Sequence, residues 1–278
     1  MNRSRVTEER RREIAALAEF VADEYCERNP IDPVVIMRRS RITVSFGSYG
    51  DYFDGMLEHK SGKFHVYCNL ARVAKRNSGR ARFTLGHELG HFYIDEHRNA
   101  LERGMPKHGS RCEYQSDHLV EQEADHFASH LLMPQKRMLA VARTGARGIP
   151  TILALARRFQ TSVQCAAIRY VQADLFPCAI IYWNADGYRW KHISDSMWKA
   201  KLRKTIKSSA QLPVDSATAE ARNSKDNPTQ GYRQRGSTVS SWFPFVDSSW
   251  NRNAILVEQA IHLGRYGTLT FIYPDNPL

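Results

Sequence analysis

The sequence His-Glu-Leu-Gly-His at residues 87–91 constrains this chain more than any other feature. Residues four apart in a helix share one face, so His87 and His91 would present their rings side by side, with Glu88 beside them. Two neutral imidazoles in that arrangement both reach a Zn²⁺ ion at about 2.0–2.1 Å. Zinc lowers the pKa of a bound water from about 16 to about 7, and Glu88 would take the water's proton. The alternative is an amphipathic helix that carries two histidines on its solvent face.

A third metal ligand is expected from the acid-rich segment 118–134, which has helical periodicity and ends at a proline. Glu121 and Asp125 are four apart and share a face, whereas Glu123 points about 200° away from Glu121. We therefore expect Glu121 to bind the metal and Asp125 to accept the spare ring N–H of a zinc-bound histidine. Glu123 is expected at the surface, and the alternative for Asp125 is an ordinary surface acid of the helix.

Cys112 lies in the polar stretch between the two motifs. A thiolate is a strong zinc ligand, so Cys112 is a candidate inhibitory fourth ligand that would hold the enzyme inactive until it is displaced. The alternative is a reduced loop cysteine without a functional role.

Composition excludes several classes of protein. The chain has 278 residues, 42% hydrophobic and 25% charged, as in ordinary globular proteins. Its five cysteines form no CxxC pair, which argues against a disulfide framework or a zinc ribbon. It has no apolar run long enough to span a membrane, and its basic N-terminus lacks the apolar core of a signal peptide, so we expect a cytoplasmic protein with no membrane partner.

The order of patterns predicts an α+β chain with boundaries near residues 140 and 176. Helical periodicity at 7–28, 81–95 and 118–134 flanks a strand at 41–48 and a hairpin at 55–69 that turns at Ser61-Gly62. Segment 157–171 has a helix-turn-helix outline. Beyond residue 177, two strands around an Asp-Gly turn at 178–193 and two closing strands at 253–275 flank a predicted basic helix at 194–206. The polar stretch at 208–237 is expected to be loop-like, with one short helix as the alternative.

The two motifs "RFTLGHELGH" and "EQEADHFASHLLMP" resemble the ImmA/IrrE zinc metallo-endopeptidases. The resemblance extends over the preceding hairpin with Asn69 and over "LARRFQTSVQCAAIRYV". By matching position it implies one Zn²⁺ per chain, held by His87, His91 and Glu121, with Glu88 as the catalytic residue and Asp125 where the family has Asp or Asn.

The resemblance also implies an architecture. It comprises a zincin-like (gluzincin-like) metallopeptidase domain over 1–140, a helix-turn-helix-like segment over 141–176, and a small α/β domain over 177–278. The strand "FPCAIIYWN" is similar to the entry into a GAF-like sensory domain. The family's typical substrate is an XRE-type helix-turn-helix repressor, whose cleavage relieves repression, and related systems respond to DNA damage or phage, with single-stranded DNA as a plausible signal.

Two other functions deserve comparison with an intracellular repressor-cleaving peptidase. One is a DNA-binding transcriptional regulator that uses 150–171 and has a vestigial zinc site; Gln164 and Arg169 are its polar candidates, but the second helix is largely apolar and resembles a packing helix. The other is a peptidase whose C-terminal domain senses nucleic acid. Its predicted contacts lie near Trp190, Lys191 and Trp198, and they are Lys199, Lys201, Arg203, Lys204 and Lys207. A solvated basic helix face is the alternative for these residues.

Overall fold

A computed structural model describes residues 6–73, 75–104, 110, 118–208, 211–213, 215–223, 231–246 and 251–275. The chain forms two compact units, one of residues 1–140 and 155–162 and the other of residues 141–154 and 163–278. Helices and strands are mixed in the chain, which confirms the α+β class. The three-part division at residues 140 and 176 stays a prediction. Within the described ranges, no helix is both long and apolar enough to cross a membrane.

The N-terminal unit contains most of the predicted helices. Its elements are α1 (Glu8–Tyr25), α2 (Pro33–Arg39), β1 (Thr43–Gly47), β2 (Gly55–Lys60), β3 (Lys63–Asn69), α3 (Leu70–Val73), α4 (Gly79–Tyr93), α5 (Asp95–Glu102) and α6 (Leu119–Leu132). Helix α1 begins where Thr7 Oγ1 accepts a hydrogen bond from the Arg10 amide, and it buries Ile14, Ala18 and Val21. These side chains share one core with Leu85 and Leu89 of α4 and with Phe127 and Leu131 of α6.

The sheet of this unit has the order β1-β3-β2. Strand β1 pairs in parallel with β3, and β2 pairs antiparallel with β3. Ser61 and Gly62 have positive φ angles of 51° and 71°, as the two central residues of a tight hairpin turn require. The predicted hairpin is confirmed, and β2 lies at the edge of the sheet.

Two short helices cross the division between the units, α7 (Gln135–Ala142) and α8 (Ile149–Phe159). Helix α8 ends at Phe159, and the following residue, Gln160, has a φ of +51°. The next helix, α9 (Val163–Gln172), belongs to the C-terminal unit. This is the predicted helix-turn-helix outline. Every residue of α9 from Cys165 to Val171 is buried, Arg169 included.

The C-terminal unit is built on a five-stranded antiparallel sheet of order β5-β4-β8-β7-β6. Its further elements are β4 (Ala179–Asn184), β5 (Gly187–Ile193), α10 (Asp195–Lys199), α11 (Ala217–Asn223), β6 (Arg233–Thr238), α12 (Val239–Trp242), β7 (Ile255–His262) and β8 (Thr268–Pro274). One core packs Trp183, Trp242, Leu256 and Ile272 together. The two predicted strand pairs are confirmed, whereas β6 lies in the stretch that was expected to be loop-like.

The predicted basic helix at 194–206 is wrong in length, because α10 ends at Lys199. Lys201 has a φ of +63°, its amide donates to Trp198 O, and the Leu202 amide donates to Met197 O. This pair of bonds is a Schellman motif, which ends a helix. Leu202 and Met197 are both fully buried in the core of the unit, and that burial turns the chain away from the helix axis.

Candidate metal centre

Helices α4 and α6 lie close together because α4 has glycine where α6 crosses it. A Cβ atom on Gly90 would lie 3.0 Å from Ala124 Cα, and one on Gly86 would lie 3.3 Å from Ala128 Cβ. Such distances leave little room for a larger side chain on α4. The two glycines of the Gly-His-Glu-Leu-Gly-His segment therefore allow the carboxylates of α6 to reach the histidines of α4.

Three metal-binding side chains converge between these helices. His87 Nε2 lies 3.0 Å from His91 Nε2, and the two nitrogens lie 3.2 Å from Glu121 Oε2 and 3.4 Å from Glu121 Oε1, respectively. The histidines are 1% and 5% exposed. Among the described residues, these three form a group whose ligand atoms lie close enough together to hold one metal ion. The structure therefore brings together the ligands expected from the sequence. Their role as ligands stays a prediction.

Asp125 lies behind His87, where its Oδ1 is 2.8 Å from His87 Nδ1. Burial lowers the pKa of His87, but the hydrogen bonds to Asp125 and Glu121 outweigh it and hold this pKa well above its usual value. A proton on Nδ1 that is donated to Asp125 directs the other nitrogen, Nε2, toward the ligand cluster. Asp125 thus lies where the sequence placed it, one turn beyond Glu121 on α6.

His91 has a different neighbour, the buried ring of His97 on α5. The two Nδ1 atoms are 3.2 Å apart, and His97 Nε2 lies 3.1 Å from Glu123 Oε2. Burial is the main cause that lowers the pKa of His91 to about 4, and burial also lowers the pKa of His97. Both rings are therefore neutral near pH 7.

The expectation that Glu123 lies at the surface is wrong. Its side chain is 15% exposed and receives two hydrogen bonds from Arg10 of α1, from Nε to Oε1 at 3.2 Å and from Nη2 to Oε2 at 3.1 Å. The face of α6 opposite Glu121 is covered by α1 and α5, so pointing away from the metal does not mean pointing into water. His97 was missed because it lies in the polar stretch between the two motifs, where no helix was expected. The helical segment "DEHRNALE" was the available signal.

Glu88 is 1% exposed and lies against the start of β2. A Cβ atom on Gly55 would lie 2.6 Å from Glu88 Oε1 and 2.5 Å from Thr84 Cγ2, so only glycine leaves room for this carboxylate. On its outer side, Gly55 forms a single antiparallel bridge with Ser110. The carboxylate of Glu88 therefore lies against β2, at the edge of the sheet.

Cys112 lies outside the described residues, and so its predicted inhibitory role stays a prediction. His126 Nε2 lies 3.0 Å from the carbonyl oxygen of Arg11, and His130 Nδ1 lies 3.3 Å from Glu19 Oε1. These two histidines join α6 to α1.

The five basic residues of the predicted nucleic-acid contact are exposed, although they do not share a helix. Lys199 ends α10, and Lys201, Arg203, Lys204 and Lys207 follow in an irregular segment. Arg203 lies over the Trp198 ring at 5.0 Å, and Lys204 Nζ lies 5.9 Å from the centre of the Phe245 ring. Trp198 and Phe245 are 51% and 77% exposed. We call these seven residues the basic aromatic surface.

Burial and the charge of Lys207 lower the pKa of Lys191, beside this surface, to about 8. Its ammonium donates to Arg203 O at 2.6 Å. Lys191 therefore supports the segment that carries the basic aromatic surface.

The comparisons with known proteins agree with the site. The IrrE N-terminal-like domain, a peptidase family, matches residues 72–170, which include the cluster on α4 and α6. No curated protein matches the chain significantly. Among solved structures, the chain is similar to a Mycobacterium tuberculosis transcriptional regulator at 14% identity and a TM-score of 0.60, over 94% of this chain and 76% of that one. At this identity the likeness concerns the fold alone. The family match confirms the resemblance read from the two motifs, because residues 72–170 of the chain form an IrrE N-terminal-like domain.

Proposed function

We propose that this chain is a zinc-dependent endopeptidase that cleaves a helix-turn-helix repressor. One observation carries the enzymatic part of the proposal. His87, His91 and Glu121 converge beside a buried Glu88 inside a domain of a peptidase family. The family match implies peptidase activity. The identity of the metal, the type of cleavage and the substrate are parts of our proposal.

The chemistry of the donor set fits zinc. Two imidazole nitrogens and one carboxylate oxygen are the three protein ligands of several hydrolytic zinc sites, which keep a further position open. The ring nitrogens that face away from the cluster are engaged by Asp125 and His97, so the nitrogens that face inward are Nε2 in both rings. Bound zinc would supply Lewis-acid polarisation of the scissile carbonyl and of the attacking water.

Glu88 would act as the general base and then as the general acid of the reaction. Its carboxylate, held between α4 and Gly55, would accept the proton of the attacking water as the oxygen bonds to the carbonyl carbon. The same carboxyl group would then donate that proton to the nitrogen of the scissile bond, and the amine would leave. Burial of Glu88 and of both histidines excludes bulk water from this transfer.

The edge of β2 is suited to hold the substrate. Gly55 is already paired with Ser110, which is the type of backbone contact that an extended peptide makes, so a substrate would pair with β2 beyond Gly55. We propose that an interdomain segment of an XRE-type repressor binds here in extended form, as the family resemblance implies. The finer fold assignments, a zincin-like N-terminal unit and a GAF-like C-terminal unit, belong to the same proposal.

We propose that the C-terminal unit binds single-stranded DNA, and that this binding activates the peptidase. The basic aromatic surface combines exposed cations, which attract phosphates, with exposed rings, on which bases stack. DNA damage or phage infection would present such a strand. An acidic protein is the competing occupant, and the aromatic side chains favour the nucleic acid.

The alternative function is a DNA-binding transcriptional regulator with a vestigial metal site. The name of the structurally similar transcriptional regulator keeps it under consideration. Two observations favour the peptidase. In α9, the recognition helix of this alternative, residues Cys165–Val171 are buried. Arg169 is 2% exposed and does not present its guanidinium to a DNA groove. The predicted metal site also has all three ligand residues and the Asp125 carboxylate behind His87, which a vestigial site would not need.

Co-expression tests the proposal. The chain, or its Glu121→Ala variant, is produced together with a helix-turn-helix repressor encoded beside it, with and without DNA damage, and the repressor is followed by mass spectrometry. We expect one new cut in the repressor with the wild-type chain and none with the variant, and about one zinc per wild-type chain. An intact repressor together with specific duplex DNA binding by the chain would favour the regulator.

A further inference from the structure

The two histidines of the cluster are held in different ways. Asp125 contacts His87 directly, whereas the ring of His91 contacts a second ring, that of His97. Beyond His97 lie the carboxylate of Glu123 and the guanidinium of Arg10. The four residues come from four helices, α4, α5, α6 and α1, and form one continuous line of hydrogen bonds.

The direction of each hydrogen bond follows from the outer end of this line. Arg10 donates to both oxygens of Glu123, which is the geometry of a guanidinium paired with an ionised carboxylate. An ionised carboxylate only accepts, so His97 Nε2 must donate to Glu123 Oε2. A neutral ring that donates from Nε2 accepts at Nδ1.

His91 must then donate from its Nδ1 to His97 Nδ1, across 3.2 Å. With its proton on Nδ1, the ring of His91 has a lone pair on Nε2, which is the atom 3.0 Å from His87 Nε2 and 3.4 Å from Glu121 Oε1. The opposite tautomer would put a hydrogen atom into the ligand cluster.

We propose that His97 is a positioning residue for the metal, which fixes the tautomer and orientation of His91 and is itself fixed by Glu123 and Arg10. Groups of this kind, hydrogen-bonded to a ligand histidine, typically contribute 10- to 100-fold to metal affinity. The inference rests on the proposed metal role of His87, His91 and Glu121. It assigns to the N-terminal helix α1 a role in the metal site, through a residue about 80 positions before His91 in the sequence.

The test compares four variants of the full chain. His97→Leu removes the acceptor for His91, and Glu123→Ala removes the acceptor for His97. His97→Asn keeps an acceptor, since the amide oxygen of asparagine stands near the place of the histidine Nδ1. His130→Leu is the matched control, because it breaks another histidine–carboxylate pair between α6 and α1, that with Glu19.

Zinc affinity is measured by competition with a chromophoric chelator, and the absorption spectrum of the Co²⁺-loaded protein reports ligand geometry. We expect His97→Leu and Glu123→Ala to weaken zinc binding by about 10- to 100-fold and to alter the Co²⁺ spectrum. His97→Asn should recover most of the affinity, and His130→Leu should match the wild type. Wild-type affinity and spectrum in His97→Leu would overturn the inference.

A second measurement separates the inference from the proposed function. Nitrogen-15 NMR of the metal-free protein reports which nitrogen of His91 carries the proton, and Nδ1–H is expected in the wild type and a mixture in His97→Leu. A wild-type chain that binds no zinc would contradict the proposed function but not this expectation. An Nε2–H tautomer of His91 in the metal-free wild type would contradict the inference whether or not zinc binds. If His97→Leu does not fold, His97→Asn and Glu123→Ala still decide the outcome.

Discussion

Asp125 Oδ1 lies 2.8 Å from His87 Nδ1, on the side of the ring that faces away from His91 and Glu121. This carboxylate is positioned by α6, the same helix that contributes Glu121 one turn earlier. A single helix therefore supplies both a predicted ligand and the group that orients another ligand. Because Glu121 and Asp125 are four residues apart, they lie on the same face of α6, and both can reach His87.

Removal of the Asp125 carboxylate should weaken metal binding without removing a ligand. We expect Asp125→Ala to lower zinc affinity by about 10- to 100-fold, because His87 loses the acceptor that fixes its tautomer. Asp125→Asn should lose less, because its amide oxygen still accepts from Nδ1. Chelator competition on the purified proteins measures both, and equal affinity of the wild type and Asp125→Ala would show that this contact does not orient His87.

A methyl group at Gly55 should affect catalysis and spare the metal. The added Cβ of Gly55→Ala would lie 2.6 Å from Glu88 Oε1, so the carboxylate must move, whereas the three predicted ligands lie elsewhere. We expect kcat/KM for peptide cleavage to fall by about 10- to 100-fold, since an ångström of misplacement has an effect of that size. Zinc content should stay unchanged.

Gly236→Ala is the control for this substitution, because its added Cβ would meet nothing within 4 Å. It should cleave like the wild type. Unchanged cleavage in Gly55→Ala would mean that the position of Glu88 beside β2 has no bearing on the reaction.

Glu258 should make the stability of the C-terminal unit depend on pH. It is fully buried, and it accepts hydrogen bonds from the Thr218 amide, the Thr218 hydroxyl and Trp242 Nε1. Burial raises its pKa above the ordinary value of 4.5. A raised folded-state pKa contributes stability that is present below the unfolded-state pKa and is lost as the pH rises through the folded-state pKa.

The neutral variant Glu258→Gln lacks this titration. The unfolding free energy of the wild type, taken relative to that of the variant, should therefore decrease from pH 4 to pH 7. All five tryptophans lie between residues 183 and 250, so their fluorescence in urea reports the C-terminal unit. A difference that stays constant or increases with pH would show that Glu258 is ionised at no cost in the fold.

The basic aromatic surface should bind single-stranded DNA in a salt-dependent manner. We expect Lys204→Gln combined with Lys207→Gln to weaken binding of a labelled oligonucleotide and to reduce the slope of log affinity against log salt by about 0.7 per lost phosphate contact. Phe245→Ala should weaken binding with less effect on the slope, because stacking is not ionic.

The charge-matched control is Lys60→Gln combined with Lys63→Gln, on the exposed hairpin of the N-terminal unit. It should bind like the wild type. Equal losses in both double variants would show that net charge alone causes the binding, and affinity that does not change with salt would exclude phosphate contacts at this surface.

Local geometry accounts for what was predictable from the sequence. The i, i+4 spacing within α4 and within α6 sets which side chains share a face, and so the proximity of His87 to His91 and of Glu121 to Asp125 needed only helix geometry. The hairpin at Ser61-Gly62 was likewise encoded by residues that adopt positive φ angles in a tight turn. Strands β4, β5, β7 and β8 were recognisable because each pair stands next to its own turn or connection, whereas β6 lies in the stretch that was expected to be loop-like.

Tertiary packing accounts for what was missed. Nothing within α6 says that Arg10 and His97 cover the face of Glu123, because these residues lie 113 and 26 positions away. The end of α10 could not be predicted from the sequence either, because Lys201 has a left-handed conformation that glycine or asparagine usually adopts. Burial of Leu202 beside Met197 decides that ending, and burial is set by the whole unit.

The most direct test of the central claim compares the wild type with Glu88→Gln, as purified proteins with the repressor as substrate. We expect about one zinc per chain in both, cleavage by the wild type, and a loss of at least about 100-fold in the cleavage rate of the variant, since the amide cannot take the proton of the attacking water. Cleavage by Glu88→Gln at the wild-type rate, with its zinc retained, would contradict the account.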